Sequence, residues 1–207
     1  MSTHQVTSEA ALREITGEPI HELVLAKSAT SITAPLRAYI EQSPFLCLAT
    51  HGDDGSADVS PRGDAPGFVH ILDDATLVIP ERPGNKRLDS VVNIINQPRL
   101  ALLFMIPGVQ ETLRVNGHGV ISTDPDLLAL FPVNGKLPQL VIVVTVEEAF
   151  GHCSKAFRRS KLWQEDYRPD GRVPTLTEMM AGHLQLDEET TSFLDAAIAD
   201  DAQNNMY

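Results

Sequence analysis

The sequence has only two cysteines and no long apolar run. Cys47 and Cys153 lie far apart, without a CxxC pair or a zinc-ligand spacing, so neither a disulfide framework nor a structural metal is expected. Both thiols are predicted to be small buried apolar side chains. No apolar stretch approaches the roughly 20 residues that a membrane-spanning helix needs. Residues 1–19 lack the basic start and apolar core of a secretory signal, and we therefore expect a cytoplasmic protein with no membrane partner.

Positive charge is also scarce, because 16 Lys and Arg stand against 28 Asp and Glu and give a net charge of -12. This balance argues against nucleic acid as a partner, since such binding gains much of its affinity from neutralised phosphates. Ten of the sixteen cations nevertheless fall in two windows, residues 82–99 and 155–172, and residues 173–207 contain none. Such clustering indicates either a small anion site or two solvated helix faces.

Apolar and alternating runs separated by turn signals predict a set of short strands. These runs cover residues 45–50, 56–60, 67–72, 76–80, 100–106, 111–122 and 139–150. Short strands at such close spacing, with few long helices between them, are typical of a small antiparallel barrel of about six strands. The fold class is therefore predicted to be mainly β, of the α+β type.

Apolar residues at helical spacing predict helices at both ends of the chain and two more inside the barrel region. They cover residues 20–26, 32–42, 86–97, 154–163, 175–182 and 187–199. The helix at 86–97 is predicted to turn four apolar residues to the core: Leu88, Val91, Val92 and Ile95. We expect a helical extension at 1–42, a barrel at 43–163 and an acidic helical tail at 164–207 that packs on the barrel.

The stretch ERPGNKRLDS, residues 81–90, concentrates cations at the predicted start of the helix at 86–97. Its Pro-Gly-Asn has turn and N-cap character, which places Lys86 and Arg87 in the first helical turn. A helix N-terminus favours negative charge, so two cations there indicate that a phosphate or sulfate binds beside them. The GxxxxGK[ST] spacing of a P-loop is absent. Alternatively, the two cations pair with Glu81 and Asp89 at the surface, where such pairs contribute little.

Further polar residues are candidates for the same site or a neighbouring one. Arg62, between two predicted strands, either points into the anion site or is a solvent-exposed turn arginine. Thr112 and Arg114 share a polar strand face that either donates hydrogen bonds to a flat ligand or faces water. Trp163 either stacks on an aromatic ligand or packs in the core. No metal site is predicted from the isolated residues of metal-ligand type, namely His118, His152 and Cys153.

Five stretches, taken in order, resemble the pyridoxamine 5'-phosphate oxidase-like family of FMN-binding split barrels. They are SPFLCLAT, DVSPRGDAPGFV, IPERPGNKRLDSVVNIINQPRLALLF, ETLRVNGHGVI and HCSKAFRRSKLW, within residues 43–163. The last stretch is similar to a bacterial subgroup of generic flavoproteins. The resemblance implies a six-stranded antiparallel split β-barrel that binds FMN between the two subunits of a homodimer.

In the family that the chain resembles, an arginine after the second strand and a Ser/Asn-Lys/Arg-Lys/Arg trio hold the FMN phosphate. Ile79 and Pro80 match main chain that touches the isoalloxazine ring, and residues of the long strand and the basic helix would reach the flavin partly across the dimer interface. The cofactor-binding residues that the resemblance implies are Arg62, Gly63, Ile79, Pro80, Asn85, Lys86, Arg87, Thr112, Arg114, Lys155, Arg158 and Trp163.

The resemblance implies an FMN-dependent oxidoreductase that acts on an unidentified small molecule. Vitamin B6 oxidation is not expected, because the C-terminal Arg-x-His-type signature of the true oxidases is absent. Two alternatives stay open: a non-catalytic flavin, deazaflavin or haem binding module, and an interaction protein whose cations face a protein partner. No residue stands out as a catalytic acid or base. Lys136 is the one cation near the expected ring end that the phosphate does not explain.

Overall fold

The computed structural model of this chain describes residues 4–18, 22, 26–164 and 171–207. Its strands are β1 (Phe45–His51), β2 (Ala57–Gly63), β3 (His70–Asp73), β4 (Thr76–Pro80), β5 (Arg99–Met105), β6 (Thr112–Ser122) and β7 (Val141–His152). Its helices are α1 (Glu9–Thr16), α2 (Ala34–Gln42), α3 (Asp89–Asn96), α4 (Pro125–Leu128), α5 (Lys155–Ser160), α6 (Leu176–Leu184) and α7 (Glu188–Asn204). Most of the predicted helix at 20–26 lies outside the described residues.

All seven strands join in one antiparallel sheet, in the order β2-β1-β5-β6-β7-β4-β3. The longest strands, β6 and β7, pair from Thr112 opposite His152 to Ser122 opposite Val141. The predicted class, a mainly β antiparallel split barrel with flanking helices, is confirmed. The count is seven strands and not six: each of the seven runs read from the sequence forms a strand, including the four-residue β3 that pairs with β4.

The main core cluster forms on one face of the sheet, where most strands alternate between buried and partly exposed residues, and a smaller buried cluster around Val78 covers the other face of β4. Along β1, Leu46 and Leu48 are fully buried, and on the neighbouring β5 so are Leu102 and Phe104. Removing one such side chain from water stabilises the fold by about 1.5–3 kcal/mol. These central strands give a rigid platform from which β2 and β4 extend to the site described below.

A glycine permits a β-bulge in the middle of the β6–β7 pairing. The register between the two strands shifts between Asn116 and Gly117. A Cβ atom at Gly117 would lie 2.0 Å from the carbonyl oxygen of Thr145, so the backbones approach more closely than any side chain allows. Such a bulge bends the strand and increases its twist, which lets the sheet curl towards a barrel.

Helix α3 begins three residues later than predicted. Lys86 and Leu88 have φ angles of 59° and 57°, which lie in the left-handed region and interrupt the helical hydrogen bonds. Lys86 and Arg87 therefore precede the helix, and their predicted placement in its first turn was wrong. The turn chemistry of residues 83–88 outweighed the apolar periodicity that suggested an earlier start.

The apolar stripe of α3 is wider than the face that it buries. The helix packs on β1, β2 and β6 through Val91 and Ile94, which are almost fully buried. The prediction that four apolar residues face the core was wrong for the three that are 41%, 49% and 67% exposed, namely Leu88, Val92 and Ile95. The exposed half of the stripe has no cover from the described part of this chain.

The acidic tail forms two helices, α6 and α7, and the predicted helices at 175–182 and 187–199 are confirmed. Thr175 and Glu178 form a capping box at the start of α6, and the Asp187 side chain caps α7. Thr177, buried at the start of α6, donates a hydrogen bond to Asp195 of α7. For residues 171–207, every hydrogen bond to the described part of the barrel involves Tyr207.

Both cysteines are more accessible than predicted. Cys47 is half-buried because it lies on β1 between Leu46 and Leu48, and neighbouring strand residues point to opposite faces. Cys153 is exposed because it follows the last residue of β7. In the part of the chain that the structure describes, no helix has the length and apolar character needed to cross a membrane.

Candidate functional site

A groove of about 1000 Å³ opens beside β2 and β4. Its walls are the strand ends at residues 58–63, the segment 80–90 between β4 and α3, the segment 133–140 ahead of β7, and Tyr207. Six of the predicted site residues line it together: Arg62, Gly63, Pro80, Asn85, Lys86 and Arg87. Lys136, which the sequence left without a role, lines it too.

The segment between β4 and α3 forms a turn that presents Lys86 and Arg87 to this groove. The Asn85 side chain accepts a hydrogen bond from the main-chain N–H of Arg87 at 3.0 Å, so Asn85 fixes a turn and does not cap the helix. Nε of Arg87 donates to Asp89 at 2.8 Å, the surface pair that the alternative interpretation predicts, and the Arg87 side chain is 74% exposed. Among the described residues no side chain pairs with the ammonium group of Lys86.

Arg62 is held within β2 and is not a solvent-exposed turn arginine. It forms an ion pair with Glu81, and both side chains are only 15% exposed. Its Nε atom also donates a hydrogen bond to the hydroxyl of Ser60 at 3.2 Å. Two partners therefore orient this guanidinium at the edge of the groove.

A hydrogen-bonded network, which the sequence interpretation missed, joins β2 to the first turn of α3. The hydroxyls of Ser60 and Ser90 lie 3.0 Å apart, and Ser90 donates to Asp58 at 2.8 Å. Asp58 also accepts from Thr50, which in turn accepts from Asn93. The available signal was the period of two along β2, which sets residues 58, 60 and 62 on one polar face.

A second buried ion pair lies next to the groove. Nε of Arg82 donates to Asp64 at 2.7 Å, and the two side chains are 18% and 7% exposed. Arg82 also donates to the carbonyl oxygen of Phe131. Burial raises the pKa of Asp64, but the hydrogen bonds from the Ala65 amide, Tyr207 and Arg82 outweigh it and hold the pKa below its usual value. Asp64 is therefore a charged anchor behind the groove wall and does not line the groove itself.

The remaining predicted site residues do not line the groove of their own chain. Ile79 is fully buried in the core. On β6, Thr112 is buried and the Arg114 guanidinium lies 5.4 Å from the ring centroid of Phe150. The others belong to the region of α5: Lys155, Arg158 and Trp163.

Trp163 makes local contacts. Its indole N–H donates to the carbonyl oxygen of Val109 at 2.9 Å, and its ring stacks on Phe157 with centroids 5.6 Å apart. The side chain is 36% exposed, so the ring is neither a core residue nor fully free.

The residues of metal-ligand type are dispersed. His118 lies 3.2 Å from Glu147, an exposed carboxylate that also pairs with Arg99. The Nε2 atom of His152 is buried and has no hydrogen-bond partner in the described part of the chain. Burial, followed by the charges of Arg114 and Lys27, lowers the pKa of this histidine. Across residues 4–18, 22, 26–164 and 171–207, no three His, Cys, Asp or Glu side chains form a group that could hold a metal.

The groove has a positive charge balance in an acidic protein. Five cationic side chains line it, against three acidic ones, whereas the whole chain carries a net charge of -12. The cations are Arg62, Arg82, Lys86, Arg87 and Lys136. A concave site with this excess attracts an anion, and its apolar wall residues suit a flat apolar group beside that anion.

Several solved structures are similar to this chain. A putative pyridoxamine 5'-phosphate oxidase from Lactobacillus delbrueckii is 22% identical with a TM-score of 0.47, over 59% of this chain and 95% of that one. HupZ from Group A Streptococcus is 18% identical with a TM-score of 0.48, over 58% and 93%. An FMN-binding protein from Syntrophomonas wolfei is 10% identical with a TM-score of 0.43, over 69% and 97%. No curated protein matches the chain.

The family model described as pyridoxamine 5'-phosphate oxidase matches residues 32–153. That range is more than half of the 207 residues, and it includes every strand of the sheet and the groove-lining segment between β4 and α3. The chain belongs to the pyridoxamine 5'-phosphate oxidase family.

Proposed function

We propose that this chain is an FMN-binding flavoprotein and that its groove holds the phosphate of the cofactor. One observation carries the proposal: the excess of cationic side chains in a single groove of a chain with net charge -12. A phosphate monoester carries between one and two negative charges at pH 7, so this local excess favours it electrostatically. Membership of the family supports the same assignment.

The phosphate end of the groove combines three cations that differ in whether a carboxylate of the described chain already pairs with them. Lys86 has no ion-pair partner among the described residues, and it can contribute its full charge to an anion. Arg62 and Arg87 already pair with Glu81 and Asp89, so a phosphate would exchange with or share those carboxylates. Arginine offers paired N–H donors that match phosphate oxygens, which gives directional binding as well as charge.

The rest of the groove offers apolar surface for the ring system. Val59 and Leu137 line it and are 65% and 52% exposed. Phe68, Pro80 and Pro138 add further apolar surface to the same walls. A flat ring bound here would remove this surface from water, which would stabilise the complex by about 25 cal/mol for each Å² of apolar surface buried.

The cofactor would carry out the redox chemistry, since a bound flavin accepts and donates hydride or single electrons. The acidic side chains of the groove already accept hydrogen bonds, Asp58 from Ser90 and Glu81 from Arg62. The chain therefore contributes binding, orientation and charge, and we assign no catalytic acid or base. We propose an oxidoreductase that acts on a small molecule or electron donor.

A homodimer would complete the site. Thr112, Arg114 and Trp163 do not line the groove of their own chain, and a second copy is the natural source of these contacts. Val92 and Ile95 leave an apolar strip of α3 exposed, which is a suitable surface for association. Light scattering should report about 45 kDa, twice the 22.6 kDa of one chain. A 22.6 kDa monomer that binds FMN fully would contradict the shared site.

The proposed function is tested by the absorption spectrum of the purified protein and by titration of apo-protein with FMN and riboflavin. FMN should bind at least about tenfold more tightly than riboflavin, because only FMN has the phosphate that meets the cations. Equal affinities would contradict the phosphate site, and binding of neither ligand would contradict the proposed function. Reduction of the bound flavin by NADH or NADPH would separate an enzyme from a storage module.

A further inference from the structure

The last residue of the sequence, Tyr207, lines the groove although it follows the helical tail. Three groups hold it there. Its hydroxyl donates to Asp64 at 2.9 Å, Nζ of Lys136 donates to its main-chain oxygen at 2.7 Å, and the Arg82 guanidinium lies 5.5 Å from the ring centroid. Tyr207 is half-buried, whereas the preceding Met206 is 62% exposed.

The anchor for this tyrosine belongs to the barrel and is itself fixed. The Asp64 side chain is only 7% exposed and pairs with Arg82, which also donates to the carbonyl oxygen of Phe131. The hydrogen bond to Asp64 raises the pKa of Tyr207 above its ordinary value, so the hydroxyl remains a donor to a higher pH than an unpaired tyrosine would. Hydroxyl, main chain and ring are thus each restrained by a different group.

The contact with Tyr207 also accounts for Lys136. The sequence left this cation without a partner at the expected ring end of the site, and in the structure it donates to the main-chain oxygen of Tyr207. Lys136 and Tyr207 both line the groove with the phosphate-side cations. The tail therefore contributes a wall to the same groove that the barrel forms.

We propose that Tyr207 is a cofactor-binding residue that packs its ring against the flat ring system of the bound flavin. This inference rests on the proposed function. An aromatic ring held in one orientation loses little conformational entropy on binding, and offset stacking adds to the apolar contact. Cation packing by Arg82 on the same ring further restricts its orientation.

The test compares Tyr207→Ala, Tyr207→Phe and the matched control Met206→Ala by titration with FMN and riboflavin. Tyr207→Ala should lower the affinity for FMN and for riboflavin by the same factor, roughly three- to tenfold, because the lost contact is with the ring system that both flavins share. Tyr207→Phe keeps the ring and should stay within about twofold of wild type. Met206→Ala should leave both affinities unchanged, since Met206 is 62% exposed and does not line the groove.

The outcomes separate this inference from the proposed function. If wild type binds FMN and Tyr207→Ala binds both flavins equally well, the inference alone is wrong. Tighter binding by Tyr207→Ala would also overturn it, because the tail would then obstruct the groove. If Tyr207→Ala binds FMN more weakly than wild type but binds riboflavin equally well, Tyr207 contacts the phosphate and not the ring system. If wild type binds neither flavin, the proposed function fails, and the inference fails with it.

Discussion

Glu81→Gln should tighten FMN binding while it weakens the fold. In the structure the Glu81 carboxylate pairs with Arg62, and both side chains are only 15% exposed. A phosphate that binds Arg62 must compete with this carboxylate for the guanidinium. The glutamine keeps the shape of the side chain and removes its charge, so it removes the competitor without opening a cavity.

The expected magnitudes follow from the burial of this pair. A hydrogen bond to a charged group contributes about 1.5–3 kcal/mol. Without the competing charge, the Kd of FMN should therefore fall about tenfold and at most about a hundredfold. The burial of this pair is intermediate. An exposed ion pair contributes about 0–1 kcal/mol to stability, and breaking a fully buried pair costs about 3–5 kcal/mol. We expect the free energy of unfolding to fall by about 1–3 kcal/mol.

The assay is calorimetric titration of FMN and riboflavin, combined with urea unfolding of the same proteins. Riboflavin affinity should not change, because riboflavin lacks the phosphate. Glu147→Gln is the matched control, since Glu147 also pairs with an arginine, Arg99 at 2.6 Å, but is 41% exposed and outside the groove. Arg62→Gln should weaken FMN binding. Unchanged or weaker FMN binding by Glu81→Gln would refute the competition argument.

Four further predictions concern the site and the fold. Arg87→Ala should raise the Kd of FMN roughly tenfold and leave riboflavin binding and the unfolding midpoint unchanged; equal FMN affinity would mean that this cation does not meet the phosphate. FMN should quench the emission of Trp163, the single tryptophan, and unchanged emission at saturation would remove its region from the site. Gly117→Ala should destabilise the fold by about 1–3 kcal/mol or more in urea unfolding, because its Cβ would lie 2.0 Å from a carbonyl oxygen; a neutral result would show that the strands can move apart. Asp64 has a lowered pKa in the folded state, so its stabilisation is present above about pH 4 and is lost as pH falls through the lowered value. The difference in thermal midpoint between wild type and Asp64→Asn should therefore shrink on acidification, and a constant difference would contradict the pKa shift.

The sequence by itself determined which segments of the barrel form strands and where the tail helices lie. Alternation along 45–50 and 111–122 specified strands, because neighbouring strand residues point to opposite faces and one face of these two strands is more deeply buried than the other. The capping residues Thr175 and Asp187 likewise specified where the tail helices start. These signals depend on neighbours within a few residues, so they can be recognised without the fold.

The tertiary structure alone decided how the charges are partnered. The pattern in ERPGNKRLDS contains both the cations and the carboxylates, but it does not show that Glu81 pairs with Arg62, 19 residues away, and not with a cation of its own stretch. It also does not show that Lys86 and Leu88 adopt left-handed backbone and delay the helix. Pairing depends on which strands are neighbours, and that information is not local.

The contribution of the tail to the groove depends on the fold in the same way. Tyr207 reaches Asp64 across 143 residues of sequence, and no periodicity or spacing connects the two. The contact exists because packing brings a buried carboxylate, Arg82 and Lys136 to one wall, where they restrain the ring together. The sequence determined which residue types were available for this wall, whereas packing over long sequence separations decided which of them meet.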